Sequence, residues 1–150
     1  MIHVKSEKEI DLMRESCKVV RDTLAFVGSK IKAGMSTKEI DELVERYIRS
    51  CGAYPSCLGY GGFPASACVS VNEMVVHGIP DEDTLLKDGD IVSVDLCAYK
   101  NGYHGDAART FCIGEVSPEK KQLVKVTEEC FFKAIEGLRA GSALYDIGYA

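Results

Sequence analysis

The sequence predicts an α+β domain, and three observations lead to it. Two stretches near the start carry helix-capping signals followed by apolar residues at helical spacing. The middle loses that period and becomes apolar runs punctuated by Gly and Pro, with an Asn-Gly pair between two of them. A third capped helical stretch follows. At 150 residues the chain fits one domain, residues 1–150, and is long enough to bury a core.

The elements follow in order. Ser6 with Glu9 forms a capping box that opens the first helix. Ile10, Met13, Cys17, Val20, Leu24, Val27 and Ile31 then recur at steps of three and four, which predicts one buried stripe ending near "KAGM". Ser36 with Glu39 caps a second helix with a face of Ile40, Leu43, Val44, Tyr47 and Ile48, ending near Gly52. Beyond it, "ACVSV" and "MVV" read as short strands among loops. A strand over 91–99 and its return over 103–113 flank Asn101-Gly102. That pair is the strongest short hairpin signal, because a type I′ turn needs positive φ at both positions. Ser117 as N-cap and Pro118 at the first helical position start a third helix. Its expected buried face is Leu123, Val126, Cys130, Phe131, Ala134 and Leu138, with a stop at Gly141 and a new start at Ser142.

Composition narrows the function classes. A net charge of -5 offers no basic footprint for nucleic acid. The seven cysteines are odd in number and form no C-x-x-C pair. With a charged start, "MIHVKSEKEID", in place of a signal peptide, they read as reduced thiols of a cytoplasmic protein. No apolar run is long enough to span a bilayer.

The hairpin carries the chemistry. If Asn101-Gly102 is the whole loop, Lys100 pairs with Tyr103, Asp95 faces Ala108, and Cys97 faces Asp106. Asp95 and Asp106 then share one face on a diagonal, with α-carbons roughly 7–8 Å apart. Two carboxylates converging on a half-buried sheet repel each other and lose hydration. A shared proton, a basic partner or a metal must offset that, and hard divalent cations take carboxylate oxygens readily. The competing reading puts one Asp at a solvated sheet edge and the other in a turn cap, since a one-residue slip separates the faces. The opposite face reads Val92, Val94, Leu96 and Ala98 against Gly105, Ala107, Phe111 and Ile113, with Arg109 out of place among them.

Other candidates stay open on the residues alone. His77, at the end of an apolar run in "VVHGIP", is structural or catalytic. His104 lies on the Asp106 face as a ligand or a solvated turn residue. "GYGGFP" lacks the lysine and spacing of a phosphate-binding loop. Cys57, Tyr60, Phe63 and Cys68 either wall an apolar pocket or belong to the core.

Taken together, "CLGYGGFPASACVSVNEMVVHGIP" and "DGDIVSVDLCAYKNGYHGDAARTF" resemble type I methionine aminopeptidases, and the likeness extends over essentially the whole chain. The resemblance implies half of a pita-bread fold, a curved antiparallel sheet with helices on its outer face. It implies that residues 1–150 are the N-terminal half of the catalytic domain, in the short bacterial-type form, truncated at the C-terminus. It maps Asp95 to a metal-binding carboxylate and Asp106 to the carboxylate bridging two divalent ions, of Co, Mn, Fe, Zn or Mg. It maps His77 to a substrate-contacting histidine that helps stabilise the transition state, and Cys57, Tyr60, Phe63 and Cys68 to the methionine side-chain pocket. His104 matches no family ligand.

The implied activity is metal-dependent removal of the N-terminal methionine from nascent chains with a small second residue, with the ribosome as a further partner. The family's remaining ligands, one His and two Glu, have no counterpart here. Residues 1–150 alone are therefore expected to be inactive and a weak metal binder. The alternatives are a non-catalytic protein that grips peptides or ribosomes, an Xaa-Pro-type metallopeptidase, and a metal-dependent hydrolase of phosphates.

Overall fold

The structure, a computed structural model, describes residues 2–150. The chain falls into two compact units, Met1–Glu115 and Val116–Ala150. The first holds helices α1 (Glu7–Gly28) and α2 (Thr37–Ser50) and strands β1 (Tyr54–Pro55), β2 (Ala67–Val71), β3 (Ile91–Lys100) and β4 (Tyr103–Cys112). The second holds α3 (Pro118–Glu136) and the short α4 (Asp146–Tyr149).

The strands form one four-stranded antiparallel sheet. β3 is central, with β4 along one side and β1 and β2 end to end along the other. Alternation makes β3 two-faced. Val92, Val94, Leu96 and Ala98 are fully buried and form one core with Val20, Leu24 and Val27 of α1 and Ile40, Val44 and Ile48 of α2. Fully burying an aliphatic side chain of Val, Leu or Ile size contributes about 1.5–3 kcal/mol, so this closed face dominates the unit's stability. The other face of β3, Ser93, Asp95 and Cys97, is only half-buried.

Both predicted capping boxes are present, on Ser6 with Glu9 and on Ser36 with Glu39. The inner face of α1 differs from the expected stripe. It is Ser16, Val19, Val20, Thr23, Leu24 and Val27, while Ile10 and Cys17 are exposed. The buried hydroxyls are satisfied by backbone: Thr23 Oγ1 donates to the Val19 carbonyl at 2.7 Å. Apolar periodicity is blind to such residues. The helix also stops at Gly28, short of Ile31. A Cβ on Gly28 would lie 2.6 Å from the Phe111 ring, so glycine permits that approach. Residues 74–76 form no strand. Val75 and Val76 are exposed in a loop.

Arg109 is accounted for. By register it stands opposite Val94 on the helix-facing side, yet it is exposed, because β4 pairs only with β3 and forms a sheet edge among the described residues. Its guanidinium lies over the Phe111 ring, 5.7 Å from the centroid.

In the second unit, Ser117 caps α3 with Pro118 at its start, as expected. The expected buried face is not buried: Leu123 is 59% and Phe131 61% exposed, and α3 has no buried residue. The pattern calls for a cover, and within its own unit only the four residues of α4 are available. The helix ends at Glu136, before Gly141, and the chain is helical again only from Asp146. No helix among the described residues is long and apolar enough to cross a membrane.

Candidate metal site

The hairpin turns as its two-residue loop requires. Asn101 has φ 53° and Gly102 φ 91°, and Lys100 pairs with Tyr103. Asp95 therefore faces Ala108 and Cys97 faces Asp106, which places both carboxylates on the open face, on a diagonal. Across the other seam, Cys68 of β2 stands directly opposite Asp95.

Helix α1 fixes this hairpin from its closed side. The buried Ser16 hydroxyl lies 2.9 Å from the Tyr103 carbonyl and 3.2 Å from that of Lys100, its two possible acceptors. A Cβ on Gly105 would lie 2.6 Å from backbone atoms of Ser16 and Cys17. Only glycine lets the helix lie this close, and the next residue, Asp106, is thereby turned to the open side.

The electrostatics follow from this placement. Burial raises the Asp95 carboxyl above its ordinary value, and the Asp106 charge raises it further, with His77 acting in the opposite direction. Burial also pushes the Cys57 thiol up to about 11, with Cys97, Cys68 and Asp95 adding to the rise against a backbone hydrogen bond from Cys97. The Cys68 thiol is raised by burial and then by the charges of Asp95 and Asp106, and Cys97 is raised chiefly by burial. These thiols are free and held protonated at neutral pH. They suit the wall of a pocket better than nucleophilic attack.

The predicted residues come together to different degrees. His77 sits in an exposed loop with φ 60°, a left-handed conformation that a non-glycine residue adopts at a cost. The loop is pinned beside it. The Gly78 N–H donates to Ser70 Oγ at 3.0 Å, and its carbonyl accepts from the Val69 N–H at 3.0 Å. A Cβ on Gly78 would collide with the Val69 carbonyl. Cys57 and Phe63 are half-buried in the loop between β1 and β2, whereas Tyr60, in a 3₁₀ turn at Tyr60–Gly62, is 82% exposed. His104 is an exposed residue of β4 next to the turn, its Nδ1 2.9 Å from Ser56 Oγ and its ring against Tyr99.

Asp41 went unpredicted. It is 1% exposed on the inner face of α2, accepts from the N–H groups of Ser66 and Ala67, and pairs with Lys38 at 3.0 Å. Its one sequence signal is a carboxylate beside Ile40 in an otherwise apolar helix face.

Two carboxylates on one face, one of them raised by burial and then by the charge of the other, fit a divalent cation, whose charge would offset both effects. They do not close a coordination sphere. Among the described residues no three His, Cys, Asp or Glu side chains converge to hold an ion. The pair fits as part of a ligand set.

A partial carboxylate site on this sheet, flanked by helices, has known counterparts. Residues 11–150 match metallopeptidase family M24, and the chain belongs to that family, which implies divalent metal ions. Within it, the similarity runs to methionine aminopeptidases. The chain is 49% identical over 150 residues to one from Clostridium acetobutylicum, covering 100% of this chain and 60% of that protein. It is 47% identical to methionine aminopeptidase 1 of Bacillus subtilis, again covering 60% of it. The crystal structure of methionine aminopeptidase from Rickettsia prowazekii superposes with a TM-score of 0.96 at 40% identity, covering 99% of this chain and 60% of that one. The chain thus spans about 60% of the length of these relatives. The pita-bread fold expected from the sequence is borne out, with an α+β arrangement and an open antiparallel sheet.

Proposed function

We propose that residues 1–150 are the N-terminal half of a methionine aminopeptidase catalytic domain, in which Asp95 and Asp106 hold divalent metal. The observation that carries this reading is the shared open face of the two aspartates, fixed by the Asn101-Gly102 turn. When bound, the metal supplies charge that activates water and polarises the peptide carbonyl. The chain's own residues do the rest. Asp95 and Asp106 would hold the metal as the anionic side of the site, with Asp106 the more exposed of the two. His77, in the loop pinned at Gly78, would orient the substrate and donate to its reacting carbonyl. Cys57, Phe63 and Cys68, with Tyr60 at the rim, form the uncharged wall that receives a methionine side chain. The substrates are methionyl peptides with a small second residue, the ions are drawn from Co, Mn, Fe, Zn and Mg, and the setting is the cytoplasm, at or near the ribosome.

An Xaa-Pro-type activity is less well supported. X-Pro aminopeptidase from Thermotoga maritima aligns at a TM-score of 0.73 and 27% identity, against 0.90 and 40% for methionine aminopeptidase from the same organism.

The test is peptide binding with diamagnetic Zn²⁺ present, read residue by residue from amide NMR shifts. Met-Ala-Ser is expected to shift residues 57–68 and 77, and Lys-Ala-Ser is not. Equal response to both peptides contradicts the pocket assignment. Robust hydrolysis of Met-Ala-Ser by residues 1–150 alone contradicts the reading that their ligand set is partial.

A further inference from the structure

We propose that Asp41 is a positioning residue for the side-chain pocket. It would act through the backbone at residues 66–67 and touch neither metal nor substrate. This deepens the functional reading above and rests on it for the pocket's ligand. The loop from Ser56 to Ser66 carries Cys57, Tyr60 and Phe63 and leads into Cys68. Its start is tied to β3, where the Ser56 N–H donates to the Cys97 carbonyl at 2.8 Å. Its end is tied to α2 by a single atom. Asp41 Oδ1 accepts from the Ser66 N–H at 2.7 Å and from the Ala67 N–H at 3.1 Å. Asp41 Oδ2 is left for Lys38 Nζ, at 3.0 Å.

A buried carboxylate is an expensive way to join a helix to a strand. An apolar contact would fill the same volume but would leave two buried backbone donors unmatched. The carboxylate fixes direction as well as contact. Two N–H groups converging on one oxygen set where residue 67 enters β2, and so set the register in which Cys68 faces Asp95. The middle of the loop is closed on itself, with the Tyr60 N–H donating to the Cys57 carbonyl, the Phe63 N–H to that of Tyr60 and the Gly59 N–H to that of Phe63, so its ends decide how this closed turn is placed on the sheet. The geometry thus gives Asp41 control over how the wall of Cys57, Phe63 and Cys68 stands relative to the two metal carboxylates.

The experiment compares maleimide labelling rates at each cysteine, by mass spectrometry, in the wild-type chain and in Asp41→Ala, Asp41→Asn and Val44→Ala. Val44 is fully buried one turn along the same helix and reports general loss of packing. Loss of two hydrogen bonds to a charged acceptor is expected to speed labelling of Cys57 and Cys68 by about tenfold or more in Asp41→Ala, relative to Cys51. Asp41→Asn, which keeps an oxygen for both N–H groups, should return within about threefold of wild type. Val44→Ala should lower the melting temperature without changing the ratio. The proposal is overturned if Val44→Ala changes the Cys57 and Cys68 ratio as much as Asp41→Ala, if Asp41→Asn fails to rescue it, or if Asp41→Ala leaves it unchanged. A separate arm adds methionine amide. Protection of Cys57 and Cys68 in the wild-type chain supports the pocket's ligand. Its absence there counts against the functional reading while the labelling ratios still decide the role of Asp41.

Discussion

The two faces of β3 obey opposite rules. Toward the helices, Val92, Val94, Leu96 and Ala98 are fully buried, apolar and matched to α1 and α2. Away from them, Ser93, Asp95 and Cys97 alternate with these residues, one position apart, and form a half-buried polar surface. Burial on the first face stabilises the fold. On the second it works against it, since it raises the Asp95 carboxyl and leaves it next to another carboxylate. A sheet face that costs stability without a bound partner is where binding energy is available, because a cation that neutralises the pair recovers what the bare face gives up.

The contrast can be broken at neighbouring residues. The largest expected effect is Leu96→Ala on the closed face, which should destabilise the chain by about 2–5 kcal/mol in denaturant unfolding. Gly105→Ala should follow at about 1–3 kcal/mol, because the new methyl meets the backbone of Ser16 and Cys17, and it should disturb Asp106 as well. Asp95→Asn, one residue from Leu96, should have the opposite sign. A carboxyl raised in the folded state favours its protonated form, so its contribution to stability is lost as pH rises above about 3.8 and through the raised value. The amide removes that loss. The metal-free variant should melt slightly higher than wild type near neutral pH, the gap should close below about pH 4, and the stabilisation by added Mn²⁺ should disappear. A lower melting temperature for Asp95→Asn at neutral pH would contradict the repulsive character of the open face.

The smallest expected effect lies at the first capping box. Ser6, and then Tyr103, hold the Glu9 carboxyl down to about 2. Its contribution is present above pH 4.5 and lost as pH falls from there toward 2. Glu9→Gln should flatten the acid limb of the stability curve in that window and leave neutral-pH melting little changed.

Most of the closed face and the hairpin were legible in the sequence because each rests on a local signal. Two capping boxes located the helices, and the Asn-Gly turn fixed a register in which one arithmetic step placed Asp95 and Asp106 on the same face. What was not legible depends on tertiary partners. Ser16, Thr23 and Asp41 are buried polar residues whose acceptors and donors are backbone groups, two of them far away in sequence. Periodicity assigns burial to Cys17 and Ile10 because they are apolar, while the helix turns inward Ser16, whose hydroxyl meets the hairpin, and Thr23, whose hydroxyl bonds the helix's own Val19 carbonyl. The exposed stripe of α3 shows the reverse failure, an apolar pattern that predicts burial and is not buried. The chemistry of the pair was open from parity alone, and the roles of His77 and the pocket residues came from resemblance.

The most direct test of the account is Mn²⁺-induced broadening of the chain's amide resonances, which detects even weak binding. Mn²⁺ is expected to broaden selectively the residues around 95, 97, 106 and 108, and Asp95→Asn combined with Asp106→Asn to abolish the effect. Broadening spread over the acidic surface, or unchanged in the double variant, would contradict the claim that these two aspartates form the metal-binding side of the site.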